Sequence, residues 1–257
     1  MTRRAQGRSG LFSNQKRDFM HKQAKAIIND LNAKLGSLNF KPPVHYVYNP
    51  GQYARQPFEA YIDKFGSSPK QALFLGMNPG PFGMAQTGIP FGAVTWVRDW
   101  MGIEATVDQP KQTHPKRPVV GFGIGKDEVS GARFWGWAEQ RFGTAEQFFE
   151  RFFVLNYCPL LFLEASGRNR TPDKLPANER QAVINACNAA LRAWIDLLQP
   201  QMLIGIGVFA EKQLKCATAK SAEIPVHRIL HPSPASPMAN RGWATQAEKQ
   251  LLEIGLL

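Results

Sequence analysis

Cysteine is scarce: Cys158, Cys187 and Cys216 are the only three in 257 residues, and no two form a CxxC pair. So few, so scattered, they exclude a disulfide framework and a four-thiolate iron–sulfur site and point to reduced thiols in an intracellular protein. Long apolar runs are missing as well. No stretch approaches the roughly 18 residues of a membrane span, and the basic N-terminus lacks the apolar segment of a secretory signal. The expectation is a soluble intracellular monomer with no membrane partner, in the cytoplasm or nucleoid of a bacterium or the nucleus of a eukaryote. Negative charge is in short supply too: 20 acidic residues face 31 lysines and arginines, a formal charge of +11. A surplus of that size suggests a polyanionic partner, nucleic acid first. Metal-ligand clusters are also lacking. His227 and His231 lie close in sequence but on and beyond a strand, so they do not share a helical face as a zinc pair would. Neither a metal nor a cofactor is expected.

What the chain does have is a dense glycine–proline stretch, residues 76–92 (GMNPGPFGMAQTGIPFG). It follows the apolar run Ala72-Leu73-Phe74-Leu75, which reads as a buried strand. Glycine and proline recur too often for a regular element. In an open α/β sheet, ligands sit at the carboxyl ends of strands, and Asn78, Met77 and Phe91 put an amide and an aromatic within this rigid backbone. No acidic side chain occurs between Gly76 and Arg98.

In chain order, residues 1–13 are basic and expected to be mobile, and residues 14–257 to form one domain. Helical spacing of Phe19, Ala26, Ile27, Leu31 and Leu35 predicts a helix from near Asn14 to Gly36. Asn39 to Gly51 reads as an extended connector and Tyr53–Phe65 as a second helix. Ile103–Lys126 is a long polar excursion, suited to phosphates or to solvent. Helices are predicted at 132–142, 144–151, 178–198, 208–217 and 241–254. Further strands are predicted at Phe152–Leu155, Met202–Ile206 and Val226–Leu230. Trp135 and Trp137 are expected in the core. Strands alternating with helices imply a mostly parallel sheet covered on both faces. If so, Asn78, Asn156 and His231, each at or just past a strand end, converge on one edge. The fourth strand end, Gly205-Ile206-Gly207-Val208-Phe209-Ala210, matches the G-x-G-x-x-G/A dinucleotide pattern only weakly, since no acidic residue closes the next strand. Tight strand-to-helix packing is the ordinary explanation.

Residues 76–92, with NYCPL (156–160), EVSGARFWGW (128–137), SGRNRTPDKLPA (166–177) and HPSPASPMANRGW (231–243), resemble the single-strand-selective monofunctional uracil-DNA glycosylases of the uracil-DNA glycosylase superfamily. The resemblance runs from about residue 40 to the C-terminus. It implies a three-layer α/β/α fold around a four-stranded parallel sheet. It also implies cofactor-free removal of uracil and 5-hydroxymethyluracil from single- and double-stranded DNA, leaving an abasic site. By that resemblance Asn78 positions the attacking water, His231 stabilises the departing base, Asn156 selects uracil and Phe91 stacks on it. Met77 and Gly80 flank C5 of the base, with room at glycine for water or a 5-substituent. Pro232–Gly242 corresponds to the loop that wedges into DNA. Family members known from animals carry a basic side chain where this chain has Ala235, which leaves Met238 or Arg241 for the wedge. Lys126, Ser130, Ser233, Pro234, Ala235, Met238 and Arg241 are then candidate DNA contacts. Two other readings stay open: broadening to deaminated purines such as xanthine or hypoxanthine, and a non-catalytic DNA-binding module on this fold.

Overall fold

A computed structural model describes residues 5–219 and 224–257, with side chains from residue 18 onward. In chain order the elements are α1 (Ala5–Gly36), β1 (Tyr46–Tyr48), α2 (Pro50–Tyr53), α3 (Arg55–Phe65), β2 (Ala72–Gly76) and α4 (Met84–Thr87). There follow α5 (Val129–Phe142), α6 (Ala145–Arg151), β3 (Phe152–Asn156), β4 (Leu161–Leu163), β5 (Asn169–Arg170) and α7 (Ala177–Leu198). The chain closes with β6 (Met202–Ile206), α8 (Val208–Thr218), β7 (Val226–Ile229) and α9 (Trp243–Glu253). α1 starts well before Asn14, so much of the basic segment expected to be mobile is helical; its residues 1–4 lie outside the described residues.

The main sheet has the order β3-β2-β6-β7 and is parallel throughout. Every residue of β2 is buried, as befits a central strand covered on both faces. Side chains alternate between the faces. Phe74 and Phe152 meet Phe148 of α6, and Phe74 also meets Phe134 of α5, with ring centroids 5.3–6.3 Å apart. On the opposite face Phe153 stacks on Trp194 of α7 at 6.3 Å, and Gly205 lies under the start of α8. The three-layer α/β/α architecture follows from this alternation. Each aromatic buried in these layers contributes about 1.5–3 kcal/mol relative to exposure. Trp135 and Trp137 are core residues, 0% and 4% exposed. Between α5 and α6 the chain reverses at Gly143 (φ 75°), and Thr144 and Gln147 form a capping box that starts α6.

A second sheet was not expected. β1, β4 and β5 form a three-stranded antiparallel ribbon that pairs Tyr46 with Leu163 and Phe162 with Arg170. It turns the connector at 39–51 and part of the polar segment 166–176 into structure. The excursion 103–126 holds one short 3₁₀ turn, Gly121–Gly123. Side chains fix it instead: buried His114 accepts at Nδ1 from Lys116 N (3.0 Å), and its Nε2 lies 3.0 Å from Ala165 O.

Gly205 accounts for the glycine pattern at the third strand end. A Cβ there would lie 2.6 Å from Glu211 Cα and closer still to its amide nitrogen, while Gly207 (φ 90°) faces His231. The pattern serves close packing. Gly205→Ala is therefore expected to destabilise the protein by about 1–3 kcal/mol through overpacking. Urea unfolding checks this, and an unchanged midpoint would contradict the packing role.

Candidate active site

The parallel register aligns the strand ends. Gly76 pairs with Asn156, and Ile206 with Ile229, so the chain leaves β2, β3 and β7 along one edge. There a cavity of about 540 Å³ is lined by Met77, Asn78, Gly80, Phe91, Asn156 and His231, the six residues proposed for chemistry and base recognition. Lys126, Ser130, Ser233 and Pro234 line it as well. Ser130 is buried, 7% exposed, in the first turn of α5. Ala235, Met238 and Arg241 are not among the lining residues; they sit on the exposed loop beyond β7.

Each side chain is held in a definite orientation. Asn78 donates from Nδ2 to Leu160 O (3.3 Å), leaving Oδ1 as an acceptor for the cavity. Asn156 directs Nδ2 to Met84 Sδ (3.1 Å); a thioether is a weak acceptor, so the donor remains available to a better one. His231 Nδ1 accepts from Ser233 N (3.1 Å). In the neutral ring the proton then resides on Nε2, which becomes a donor. Burial pushes the imidazole down from 6.5 to about 4, so it is neutral at physiological pH. Phe91 stacks on Phe134 (5.2 Å, 18°) and sits 6.1 Å from the His231 ring. Its φ of 54° is left-handed, a conformation that costs an aromatic residue about 1–3 kcal/mol. Gly131 lies directly under the Phe91 carbonyl, and Gly92 N bonds Ile89 O (2.9 Å), which holds this turn in place.

The glycine loop is fastened by buried amides. Gln86, 2% exposed, donates to Pro81 O (2.8 Å) and Pro118 O (3.0 Å) and accepts from Val120 N (2.9 Å) and Gly121 N (3.2 Å). Asn169 donates to Pro79 O (3.3 Å). The loop also contains one helical turn, α4, where glycine and proline suggested no regular structure. On the far rim, Arg133 of α5 donates to Pro232 O (3.1 Å) and Asn240 Oδ1 (2.8 Å), bracing the loop that carries Met238. Sequence reasoning found none of these three braces.

One expectation is corrected. The space beside Gly80 is not open: a carboxyl from outside the glycine loop fills it. Glu128, just before α5, places its carboxyl against the loop: a Cβ on Gly80 would lie 2.5 Å from Glu128 Cδ, and one on Gly83 would lie 2.9 Å from it. Glu128 lines the same cavity. Desolvation raises its carboxyl from 4.5 to about 7. The signal that could have found it is the acidic residue opening the EVSGARFWGW segment.

His231 and Glu128 pull the pH dependence of stability in opposite directions. Between about 4 and 6.5 the unfolded chain binds the histidine proton and the folded one does not, so His231 makes stability rise with pH. Between 4.5 and about 7 the folded chain holds the glutamic proton, so Glu128 makes stability fall with pH. The two slopes oppose each other where the windows overlap. Their shifts are equal in size, so the two contributions nearly cancel in wild type from pH 4.5 to 6.5; relative to wild type, Glu128→Gln is expected to make Tm rise with pH over that interval and His231→Gln to make it fall. Parallel Tm profiles for all three proteins would refute the assignment.

Among the described residues, no group of three or more His, Cys, Asp or Glu could hold a metal ion, and no helix is long and apolar enough to cross a membrane. Residues 64–252 match the family model described as the Uracil DNA glycosylase superfamily. The chain is 51% identical over 228 residues to the single-strand selective monofunctional uracil-DNA glycosylase of Rattus norvegicus, covering 88% of this chain and 82% of the relative. The Bos taurus protein of that name is 50% identical, with 88% and 84% covered. In fold, the chain is similar to the crystal structure of wild-type Pedobacter heparinus SMUG2, with a TM-score of 0.64 at 19% identity, covering 89% of this chain and 97% of that one. The parallel sheet, the polar strand ends and these likenesses together place the chain in the uracil-DNA glycosylase superfamily.

Proposed function

We propose that this protein is a monofunctional DNA glycosylase that flips a damaged base into the cavity and hydrolyses its N-glycosidic bond, leaving an abasic site for base excision repair. Its family membership supports uracil as the base. The observation that carries the mechanism is the convergence of Asn78, Asn156, Phe91 and His231 on one cavity at the sheet edge.

As the bond breaks, positive charge develops on the deoxyribose and negative charge on the base, as in other glycoside hydrolyses. The Asn78 Oδ1 left by the Leu160 bond holds a water in line with the electrophilic sugar. An amide cannot take a proton near neutral pH, so Asn78 aims water rather than activating it. The neutral His231 donates from Nε2 to the base O2 where charge accumulates. Asn156 offers a donor to O4 and an acceptor to N3–H. Cytosine reverses both partners, at about 1–3 kcal/mol for each group left unpaired. Phe91, backed by Phe134, supplies a stacking face for the flipped base. On the wedge loop, Met238 is 57% exposed and its backbone is held by Gln246 Nε2 (2.6 Å). It takes the wedge role in place of the basic residue absent at Ala235 and offsets part of the unstacking cost. Lys126, Ser130, Ser233, Pro234 and Arg241 guide the phosphate backbone around the cavity mouth.

The substrates proposed are uracil and 5-hydroxymethyluracil, in single- and double-stranded DNA. Deaminated purines such as xanthine remain part of the test panel. Single-turnover base release from both kinds of oligonucleotide should show uracil excision by wild type. Asn78→Ala should slow it about 100-fold with DNA affinity retained, and His231→Ala by about 10²–10³. Near-wild-type cleavage by Asn78→Ala would remove the water-holding role, and absence of any base release by wild type would leave a DNA-binding module. Met238→Ala should slow excision from duplex more than from single strands; equal effects would show that Met238 is not the wedge.

A further inference from the structure

Glu128 has no part in the mechanism above, yet its carboxyl lies inside the cavity. It packs against Gly80 and Gly83, close enough that neither could carry a Cβ without displacing it. Met77 and Gly80 are the residues assigned to the C5 side of the base, so the glutamic head group occupies that side of the pocket. Asn78, which serves the sugar, stands two residues past β2, and His231 lies beyond β7. Desolvation is the cause of the carboxyl's shift, and among the described residues no donor or opposite charge offsets it. Glu128 is partly buried, and a carboxyl held there without a protein partner is costly. It is also ready to pair with whatever polar group a ligand brings.

We infer that Glu128 is a specificity-determining residue that reads the substituent at C5 of the flipped base by hydrogen bonding to it. The inference rests on the proposal that 5-substituted uracils are substrates. As a carboxylate, Glu128 can only accept: it suits the O–H of a 5-hydroxymethyl group and repels the oxygen of a 5-formyl group. As a carboxylic acid it donates, and the formyl oxygen becomes acceptable. A hydroxymethyl group both donates and accepts, so it pairs with either form. The choice between the two substituents then follows the protonation of one side chain.

Other ionisable groups near this carboxyl have partners of their own. The glycine loop contributes none from Gly76 to Gly92. Asp127 and Lys126 line the same cavity; Asp127 is held by Thr95 N (3.2 Å) and its hydroxyl (2.5 Å), and Lys126 and Arg117 lie over the Phe82 ring, 4.6 and 5.4 Å from its centroid. Arg133, on α5, is bonded to the wedge loop. His231, at about 4, has already lost its proton before Glu128 titrates near 7.

The test is single-turnover release of uracil, 5-hydroxymethyluracil and 5-formyluracil from single-stranded oligonucleotides between pH 5.5 and 8.5, by wild type and by Glu128→Gln. In wild type, the 5-formyl to 5-hydroxymethyl rate ratio should fall about tenfold as pH rises through about 7, the size of one charge-assisted hydrogen bond gained or lost. In Glu128→Gln, whose amide donates at every pH, this fall should disappear. Any pH dependence intrinsic to the leaving bases is common to both proteins and cancels in the comparison. Uracil release in the same preparations reports whether the variant is folded; if Glu128→Gln releases none, Glu128→Ala is measured, and it should show the same loss of the fall. Identical ratio profiles in wild type and variant would overturn the inference while leaving 5-hydroxymethyluracil as a substrate. Failure of wild type to release either 5-substituted base, with uracil still excised, would instead overturn the substrate proposal beneath it.

Discussion

The site depends on the absence of a side chain at Gly76. It is the last residue of β2, directly opposite Asn156. A Cβ here would run into the Asn156 amide oxygen and lie 2.7 Å from the Phe91 ring. Only hydrogen at this position lets the Asn156 amide and the Phe91 ring approach one another at the mouth of the two neighbouring strands. Much else follows from keeping that arrangement in place. Phe91 accepts a left-handed backbone, Gly131 makes room for its carbonyl, and Phe134 supports the back of the ring. The strain is localised, and the packing of α5 over-determines it.

The electrostatics of the cavity are those of dipoles more than of fixed charges. Its histidine is held neutral by desolvation, its three asparagines carry no charge, its partly buried glutamic carboxyl is poised near neutrality, and the charged lining residues Asp127 and Lys126 are turned to Thr95 and Phe82. That suits a reaction whose charge appears only as the bond breaks: preoriented donors and acceptors stabilise developing charge without a strong charge acting on the neutral base. The positive charge of the chain, 31 basic residues against 20 acidic, has a different task. Under the proposed function it draws the phosphate backbone to the surface and leaves base recognition to neutral amides.

Much of the fold and the outline of the site were legible in the sequence because they rest on local signals. The strands β2, β3 and β6 are short apolar runs, β7 is marked off by Pro225 and Pro232, and the helices carry apolar faces at regular spacing. Asn78, Asn156 and His231 were found because parallel topology puts strand ends together wherever they lie in the chain. The ribbon of β1, β4 and β5 escaped notice because its strands are only two or three residues long and set among prolines and charges. Gln86, Asn169 and Arg133 escaped for another reason. Each acts on backbone distant in the sequence, and a hydrogen bond across the fold leaves no periodic trace. Glu128 combined both difficulties: it stands outside the glycine loop, at the foot of a helix, and only the folding of α5 against the sheet brings it to Gly80.

α5 is the common support of these distant parts. Glu128 at its entrance meets the glycine loop, Gly131 and Phe134 carry the stacking ring, and Arg133, between them, grips the loop that bears Met238. The cavity and the loop beyond β7 are therefore both mounted on the first two turns of one helix, like two jaws sharing one hinge pin. Where that helix lies sets the depth of the cavity and the position of the loop that bears Met238 at once, so a shift of the helix moves both.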